Sequence, residues 1–459
     1  MTPGRRSATR LAGRHARRDP TGGVGRSPLI PLLAILVCLA LVAALTLVAL
    51  RRTGILDGDS TSAGEDDGTR AGATPAWAED LPWAQSAELD VPSAQTRMGD
   101  RHRITGDITP KSVVSNGHGL VIANNMLYAH SVTVYDAADR DLHATVEDTV
   151  QMDDLGFPDY PGASQGAPVE ADWTSDGRYA YVSQYQMKGE GHGASGNDDC
   201  RNGEKTGRSA LLRLDTATMS WDQAIEVGRV PKYVAISPDQ SSALVSNWCD
   251  KTVSVVDLAK GEVTKEIDVD SAPRGIVILP DDNTAYVTAM YADELFRIDV
   301  DKGTSELVRD TGRKPRHLVL SPDGTRMYLT EAGSDRLLEM DARTGEVLRQ
   351  VDTGREPRSM DISPDGTALY VVNYYEDSVS KFDVETLSEV QREKVGRNPV
   401  GVAYEPTTAS VWVANYAGSI DVLDDSRPGD TDSGSRKSSG GSFGRPSGQS
   451  SDESAARDS

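Results

Sequence analysis

The sequence is poor in cysteine and histidine and short of positive charge. Its 459 residues include 3 cysteines and 7 histidines, and 48 Lys and Arg against 70 Asp and Glu give a formal net charge of −22. Binding along nucleic acid requires a basic surface, so this balance argues against a nucleic-acid partner. The sequence also lacks a Cys-x-x-Cys-His haem attachment, a nucleophile elbow, a Walker loop and a metal-ligand cluster. We therefore expect no cofactor and no bound metal.

One long apolar run, residues 29–50, lies near the N-terminus. Its 22 residues would span about 30 Å as a helix. Seven arginines precede the run and Arg51 and Arg52 follow it, a charge bias that predicts a cytoplasmic N-terminus. We expect a basic cytoplasmic arm over residues 1–28, a transmembrane helix over 29–50, and the rest of the chain outside the cytoplasm. Secretion after signal cleavage is the alternative, although no small-x-small site closes the run.

Two further segments have the composition of unstructured chain. Residues 51–100 are rich in Gly, Ser, Thr, Ala, Asp and Glu and show no sustained period. Residues 425–459 are rich in Ser and Gly with mixed charge. Neither buries enough apolar surface to offset the entropy lost on ordering. We predict a flexible extracytoplasmic linker and a disordered tail, respectively.

Between these segments a unit of 42 residues repeats. Five prolines mark its period: Pro231, Pro273, Pro315, Pro357 and Pro399. Each proline is followed by a short apolar run, a turn such as 321–324 (Ser-Pro-Asp-Gly), and two more strand-like segments. Two earlier units, near Pro110 and Pro168, fit the pattern once insertions are allowed. Four strand-like segments per unit predict an all-β, seven-bladed β-propeller of four-stranded antiparallel blades over residues 101–424.

The last unit contains three strand-like segments instead of four. The segment 102–106 resembles the fourth segments of other units, such as 350–354. We predict that this N-terminal strand completes the last blade and closes the ring, which removes an exposed sheet edge.

The strand motifs resemble the YVTN-type β-propeller repeat family of extracytoplasmic and surface-layer proteins of prokaryotes. The carriers are Tyr286-Val287-Thr288, Tyr370-Val371-Val372-Asn373, 411–415 (Val-Trp-Val-Ala-Asn) and the Pro-Asp-Gly turns. The resemblance covers about residues 101–424 and implies the fold. It leaves the function open, because the family mixes binding proteins with propellers related to lactonases and haem d1 enzymes.

Two long insertions are expected on one face of the propeller. If the strands of a blade are named a to d from the channel outwards, the b–c loops and the d–a links share one face. The insertion at 148–167 is a d–a link and that at 187–207 is a b–c loop of the neighbouring blade. We therefore expect the two insertions to meet, and long loops on a rigid scaffold are typical binding elements.

The same face carries a candidate site for an anion. The residue after the repeat proline is cationic in five of seven units: Lys111, Lys232, Arg274, Arg316 and Arg358. Because this residue opens the innermost strand, the five side chains should converge at the mouth of the central channel. Convergent cations favour an anionic ligand. The alternative is that each cation pairs with an acidic neighbour such as Asp310, Glu356 or Glu376.

Other candidates surround this mouth. Polar and aromatic residues at the b–c loops are predicted to form a rim: Tyr185, Asn247, Trp248, Asn373, Tyr374, Asn415 and Tyr416. Packing between blades is the alternative role for them. His317 resembles a position in lactonase-like propellers and joins the candidate ligand-binding set, with a structural role as its alternative.

Cys200 and Cys249 are the cysteines outside the apolar run. They fall in b–c loops of adjacent blades at the same edge, in a compartment expected to be oxidising. This placement predicts a disulfide that ties the insertion to its neighbour. Two free thiols are the alternative.

Three functions remain open at this point. The first is a membrane-anchored, non-catalytic scaffold that binds an extracytoplasmic protein or a small anion through the b–c and d–a face. The second is a lactonase-like or quinoprotein-like enzyme with a site at the channel mouth. The third is a structural protein of the cell surface. Salt-sensitive partner capture would mark the first, and turnover that depends on a residue such as His317 would mark the second.

Overall fold

The computed structural model describes residues 86–429, which form an all-β fold of seven four-stranded sheets and one small hairpin. The predicted seven-bladed propeller with antiparallel four-stranded blades is confirmed. The predicted cytoplasmic arm 1–28, the apolar run 29–50 and the tail beyond 429 lie outside the described residues. Among residues 86–429, no helix has the length and apolar character needed to cross a membrane.

The strands follow one another along the described chain in a regular order. They are β1 (Thr96–Thr105), β2 (Ser112–Ser115), β3 (Leu120–Asn125), β4 (Ser131–Asp136), β5 (Leu142–Glu147), β6 (Thr149–Gln151), β7 (Ala163–Gln165), β8 (Pro168–Trp173), β9 (Tyr179–Gln184), β10 (Ser209–Asp215), β11 (Ser220–Val227), β12 (Pro231–Ile236), β13 (Ser242–Asn247), β14 (Thr252–Asp257), β15 (Glu262–Asp268), β16 (Pro273–Ile278), β17 (Thr284–Ala289), β18 (Glu294–Asp299), β19 (Thr304–Asp310), β20 (Pro315–Leu320), β21 (Arg326–Glu331), β22 (Arg336–Asp341), β23 (Val347–Asp352), β24 (Pro357–Ile362), β25 (Ala368–Asn373), β26 (Ser378–Asp383), β27 (Ser388–Lys394), β28 (Pro399–Glu405), β29 (Ser410–Asn415) and β30 (Ser419–Pro428). Short 3-10 helices lie at Ser93–Gln95 and Gly203–Lys205.

Each sheet is one blade. Blades 1 to 6 are β2–β5, β8–β11, β12–β15, β16–β19, β20–β23 and β24–β27, and blade 7 has the strand order β1-β30-β29-β28. The innermost strand of each blade opens at or just after the repeat proline, as the period predicts.

Burial follows the position of a strand in its blade. Second strands such as β17 and β25 are buried along their whole length, because neighbouring blades cover both faces. Outermost strands such as β23 alternate between half-buried and exposed residues. The core therefore lies between blades: Leu244 and Val253 of blade 3, for example, share a cluster with Val287 and Phe296 of blade 4.

The repeated turns have a structural role. In the turn 321–324, one carboxylate oxygen of Asp323 accepts hydrogen bonds from the Thr325 backbone N–H at 3.0 Å and from the Ser321 hydroxyl at 2.5 Å. Gly324 adopts a φ of +66°, a conformation that favours glycine. The motif is thus explained by local backbone geometry.

Blade 7 combines both ends of the described chain. β1 pairs antiparallel with β30, with Arg103 opposite Asp421 and Ile104 opposite Ile420. β1 begins at Thr96 and β30 ends at Pro428, outside the predicted propeller bounds of 101–424.

Residues 86–95, predicted as linker, are part of the folded structure. Ala87 and Leu89 pack against the core between blades 6 and 7, and the Ala87 N–H donates to the Pro406 carbonyl at 2.8 Å. The start of β1 is held by the amide of Gln391, which exchanges two hydrogen bonds with the Met98 backbone at 2.9 and 2.7 Å. These contacts could not be predicted from the sequence, because the polar composition of residues 86–95 is that of a linker.

A buried ion pair joins blade 6 to blade 7. Lys381 Nζ donates to both carboxylate oxygens of Asp425 at 2.8 Å and to the Thr96 hydroxyl at 2.7 Å, and both charged side chains are fully buried. Tyr370 adds a hydrogen bond from its hydroxyl to Asp425. Because this network includes β1, β30 and β26, it fixes the first and last described strands to the neighbouring blade.

Candidate functional site

The two insertions meet over blade 2, as the sequence predicts. Residues 148–167 contain the hairpin β6–β7, and Gln165 exchanges backbone hydrogen bonds with Lys188 of the second insertion at 2.8 Å. Met152 and Met187 share one buried cluster. The insertions therefore form a packed layer on the face of the b–c loops and d–a links.

The predicted disulfide between Cys200 and Cys249 is confirmed. It joins the blade 2 insertion to the b–c loop of blade 3. The Trp248 indole N–H donates to the backbone carbonyl of Asp198 at 2.9 Å beside it, and Arg229 reaches the Gly203 carbonyl at 3.1 Å. These contacts hold the tip of the insertion at the channel mouth.

The structure brings the five predicted cations together at this mouth. The pKa of Lys111 lies well below its usual value because the ammonium is buried and because Arg274, Arg316, Lys232 and Arg358 repel it. Lys111 and these four residues lie at the start of the innermost strands of five different blades, so their side chains surround the same mouth of the channel. We call this set the cation ring.

Two members of the cation ring have a carboxylate partner. Lys232 Nζ lies 2.5 Å from the carboxylate of Asp198, and Arg358 Nε donates to Glu356 at 2.7 Å. Lys111, Arg274 and Arg316 form no ion pair with any carboxylate of residues 86–429, although Arg316 Nε donates to the Arg358 carbonyl at 3.1 Å.

The pairing alternative therefore holds for only part of the ring. Of the acidic neighbours named above, Glu356 pairs within the ring. Glu376 binds Arg355 and Arg392 outside it instead.

The Asp198 carboxylate is a resident anion of this mouth. It accepts hydrogen bonds from Lys232 and, at 2.9 Å, from the Tyr185 hydroxyl. Partial burial raises its pKa, but the charge of Lys232 and the two hydrogen bonds outweigh that effect and lower the pKa to about 2. The pKa of Lys232 falls to about 8, because burial and repulsion by Arg274 exceed the stabilisation by Asp198. This contact could not be predicted from the repeat, because Asp198 lies in a non-periodic insertion.

The four aromatic rim candidates lie against the cation ring. Lys232 Nζ lies 4.4 Å from the Tyr185 ring centre and 5.1 Å from that of Trp248. Arg358 lies 3.3 Å from the Tyr374 ring and Lys111 5.2 Å from the Tyr416 ring. Cation–π contacts partly stabilise the desolvated charges at this mouth.

The three asparagine rim candidates do not reach the rim. Asn247, Asn373 and Asn415 are fully buried. Their amide groups donate to hydroxyls of the adjacent third strand, as Asn373 does to Ser378 at 3.1 Å and to Ser380 at 2.8 Å. Each asparagine is the last residue of the second strand in its blade, where its amide satisfies buried polar groups. This position of the repeat therefore has a structural role.

Three exposed tyrosines that were not predicted from the sequence complete the rim. Tyr128, Tyr291 and Tyr375 have exposed fractions of 88%, 57% and 55%. They lie in b–c loops of blades 1, 4 and 6, two or three residues beyond the end of the second strand. Their shared position in the repeat is the signal that could have identified them.

A cavity of about 490 Å³ lies in the channel, lined by the innermost strands. Glu170, Tyr233 and His317 line it, and the His317 and Tyr233 rings meet edge to face at 5.4 Å. Burial raises the pKa of Glu170 to about 7. Burial, Arg274 and Arg316 lower the pKa of His317 to about 3, so its imidazole is neutral at physiological pH.

Two more carboxyls of the cavity link adjacent blades. Asp172 accepts the Ile236 backbone N–H at 2.7 Å, and Asp361 accepts that of Tyr404 at 2.7 Å. Both thus hold the innermost strand of the next blade along the channel. In residues 86–429, no group of three or more His, Cys, Asp or Glu side chains is arranged to hold a metal ion.

Comparisons with known proteins support the fold. The sequence profile of the family described as "Lactonase, 7-bladed beta-propeller" matches residues 336–450, less than half of the chain. Hydrazine synthase of Kuenenia stuttgartiensis is among the solved structures that resemble this chain, with 19% identity and a TM-score of 0.55 over 70% of this chain and 97% of that one. At this identity the likeness concerns the fold alone. No curated protein matches the sequence significantly.

Proposed function

We propose that this protein binds an anionic ligand at its basic channel mouth and acts as a non-catalytic binding module. The observation that carries the proposal is the cation ring, in which Lys111, Arg274 and Arg316 converge without a carboxylate partner in residues 86–429. Like charges in a desolvated site repel each other strongly. An anion bound among them would relieve this repulsion and gain charge-assisted hydrogen bonds.

The same repulsion explains why binding is favoured over a purely structural role. Burial and the charges of Arg274 and Arg358 lower the pKa of Arg316 well below its usual value. A structural ion-pair network would leave each cation compensated, as Asp421 compensates Arg103 with bonds of 2.7 and 3.0 Å in blade 7. In the cation ring the charges of Glu170 and Asp198 act on Arg274, and those of Glu356 and Asp198 act on Arg316, without forming an ion pair with either guanidinium. Cations that are compensated only in part in a buried site are typical of a ligand site.

The enzyme alternative rests on the cavity below the ring. Glu170 and His317 both line it, and the partial match to a lactonase family makes sugar lactones its natural test substrates. Hydrolysis that is lost in His317→Ala would favour an enzyme of that kind. Binding without turnover is the outcome that we propose.

We further propose that the binding face lies outside the cytoplasm on a single-pass membrane anchor. The apolar run 29–50 and the arginines before it support this placement. The YVTN-type motifs of the strands are typical of extracytoplasmic propellers. The pairing of β1 with β30 separately supports our proposal that the N-terminal strand closes the ring.

The proposal is tested by anion titration of the purified full-length protein. Citrate and inorganic phosphate, added in a thermal-shift assay and by calorimetry, should raise the melting temperature and bind at one site. Each charge-assisted hydrogen bond contributes about 1.5–3 kcal/mol. Arg274→Gln and Arg316→Gln should therefore each weaken citrate binding about tenfold or more, while relief of repulsion keeps the free variants as stable as the wild type.

Arg343→Gln is the matched control, because Arg343 lies in the exposed turn after β22 on the opposite face. It should bind citrate as the wild type does. Citrate and phosphate binding that is absent, or unchanged in both ring variants, would disprove the proposal.

A further inference from the structure

The chain itself shows how the mouth binds a piece of peptide. The side-chain carboxylate of Asp198 binds Lys232 and Tyr185. The backbone carbonyl of the same residue accepts the indole N–H of Trp248 at 2.9 Å. Lys232 is almost completely buried, whereas the Asp198 side chain remains more than half exposed. The mouth thus recognises an acidic side chain together with the amide carbonyl of the same residue.

This resident segment occupies only one sector of the cation ring. Lys232 belongs to blade 3, and the neighbouring Arg274 and Arg316 belong to blades 4 and 5. The charge of Asp198 acts on Arg274 and Arg316, but neither guanidinium is paired with it. Lys111 faces them from blade 1. The ring therefore has room for carboxylates beyond Asp198 and Glu356, the two that pair with it in the described residues.

Two exposed tyrosines lie at the edge of the same mouth, one beside Trp248 and one beside Tyr374, whose ring lies over Arg358. Tyr291 meets Trp248 edge to face at 4.9 Å, and Tyr375 meets Tyr374 in the same way at 5.0 Å. Each pair holds an exposed ring in place at its edge, so little side-chain entropy remains to be lost when a partner packs on it. Fixed Tyr side chains next to Arg are typical of the residues that dominate protein–protein interfaces.

We propose that this face docks an acidic, extended segment of a partner protein. Its Asp or Glu side chains bind Arg274, Arg316 and Lys111 as Asp198 binds Lys232, and its flanking residues pack on Tyr291 and Tyr375. The inference rests on the proposed anion site and adds the class of ligand. A peptide is favoured over a sulfated glycan because each acidic residue repeats the carboxylate and amide carbonyl that the mouth already binds in Asp198.

The test uses fluorescence anisotropy with the purified full-length protein. The probe is a fluorescein-labelled peptide of five Asp-Leu repeats, and its Asn-Leu counterpart is the control peptide. The acidic peptide should bind at least about tenfold more tightly than the neutral one. The variant Tyr291→Ala/Tyr375→Ala should weaken peptide binding about tenfold and weaken phosphate binding much less, because phosphate is too small to pack on both rings and truncation of an interface anchor typically costs more than 1 kcal/mol.

Leu348→Ala is the matched control for the tyrosine variant. Leu348 is 46% exposed on the outermost strand β23, away from the mouth. This substitution removes an exposed apolar side chain without touching the rim, so peptide affinity should not change. Circular dichroism melting verifies that both variants are folded.

The outcomes separate this inference from the proposed function. If phosphate and citrate bind in an Arg274-dependent way but the acidic peptide binds no better than the neutral one, the docking inference is wrong and the anion site stands. Heparin that binds while the acidic peptide does not would likewise overturn it in favour of a glycan. If none of the anions binds, the proposed function fails as well.

Discussion

The variant Asp198→Asn should have opposite effects on stability and on anion binding. Asparagine keeps the shape of the side chain but removes the charge that Lys232 pairs with at 2.5 Å. Lys232 is 5% exposed, so it loses its carboxylate partner in a largely desolvated site. Removing one partner of a fully buried ion pair costs about 3–5 kcal/mol. Because the Asp198 side chain is 58% exposed, solvent screening reduces the cost, and we expect about 1–2 kcal/mol.

The same change makes Lys232 available to an external anion. The mouth loses a negative charge that competes with the ligand, and a bound citrate recovers one charge-assisted hydrogen bond from Lys232. A gain of about 1.4 kcal/mol corresponds to tenfold tighter binding. We therefore expect a lower free energy of unfolding without ligand and a tenfold lower Kd for citrate.

Two measurements check this pair of effects. Urea unfolding at pH 6 gives the free energy of unfolding, and calorimetry at the same pH gives the Kd for citrate. The pH is chosen because the pKa of Lys232 is about 8 in the wild type and falls further without Asp198. Asp199→Asn is the control, since Asp199 pairs with Arg201 on the same loop. Weaker citrate binding in Asp198→Asn, or equal effects in the control, would refute the role of Asp198 as a resident anion.

Three further predictions concern the core, the cavity and the mouth. Lys381→Met should lower the free energy of unfolding by about 3–5 kcal/mol in urea titrations, because Asp425 is left buried without its counter-ion. The double variant Lys381→Met/Asp425→Asn should recover part of this loss, and the absence of any recovery would contradict the explanation. Glu170→Gln should stabilise the protein at pH 8 but not at pH 4. The pKa of Glu170 is raised from 4.5 to about 7 in the folded protein, so the wild type loses about 3 kcal/mol of unfolding free energy as the pH rises through that window. Urea midpoints of both proteins at pH 4 and pH 8 check this, and a difference between them that does not change with pH would count against it. Citrate binding should weaken as the pH rises from 8 to 10, because a bound anion raises the pKa of Lys232 from about 8 and binding then takes up a proton. Calorimetry over this range, in which citrate itself is fully ionised, would show this, and binding that strengthens with pH would contradict it.

Several features of the fold could be read directly from the sequence. Each 42-residue unit contains its own turns and its own apolar b strand, and it packs on its neighbours in the same way every time. The period therefore predicted the number of blades, the order of strands and the convergence of a cationic position such as Arg274 on the channel. The pairing of Cys200 with Cys249 was also predictable, because both cysteines fall in b–c loops of adjacent blades on the same face of the propeller.

Features outside the period depended on the tertiary structure. Asp198 lies in an insertion without a counterpart in other blades, so only its packing on Trp248 and its disulfide bring its carboxylate to Lys232. Asn373 was predicted at the exposed rim, but its side chain is buried, because its amide donates a hydrogen bond to a buried hydroxyl at the end of the strand. The sequence by itself determined where the backbone repeats. The contacts between non-repeating side chains decided which residues the mouth presents, because those contacts depend on distances that no local pattern encodes.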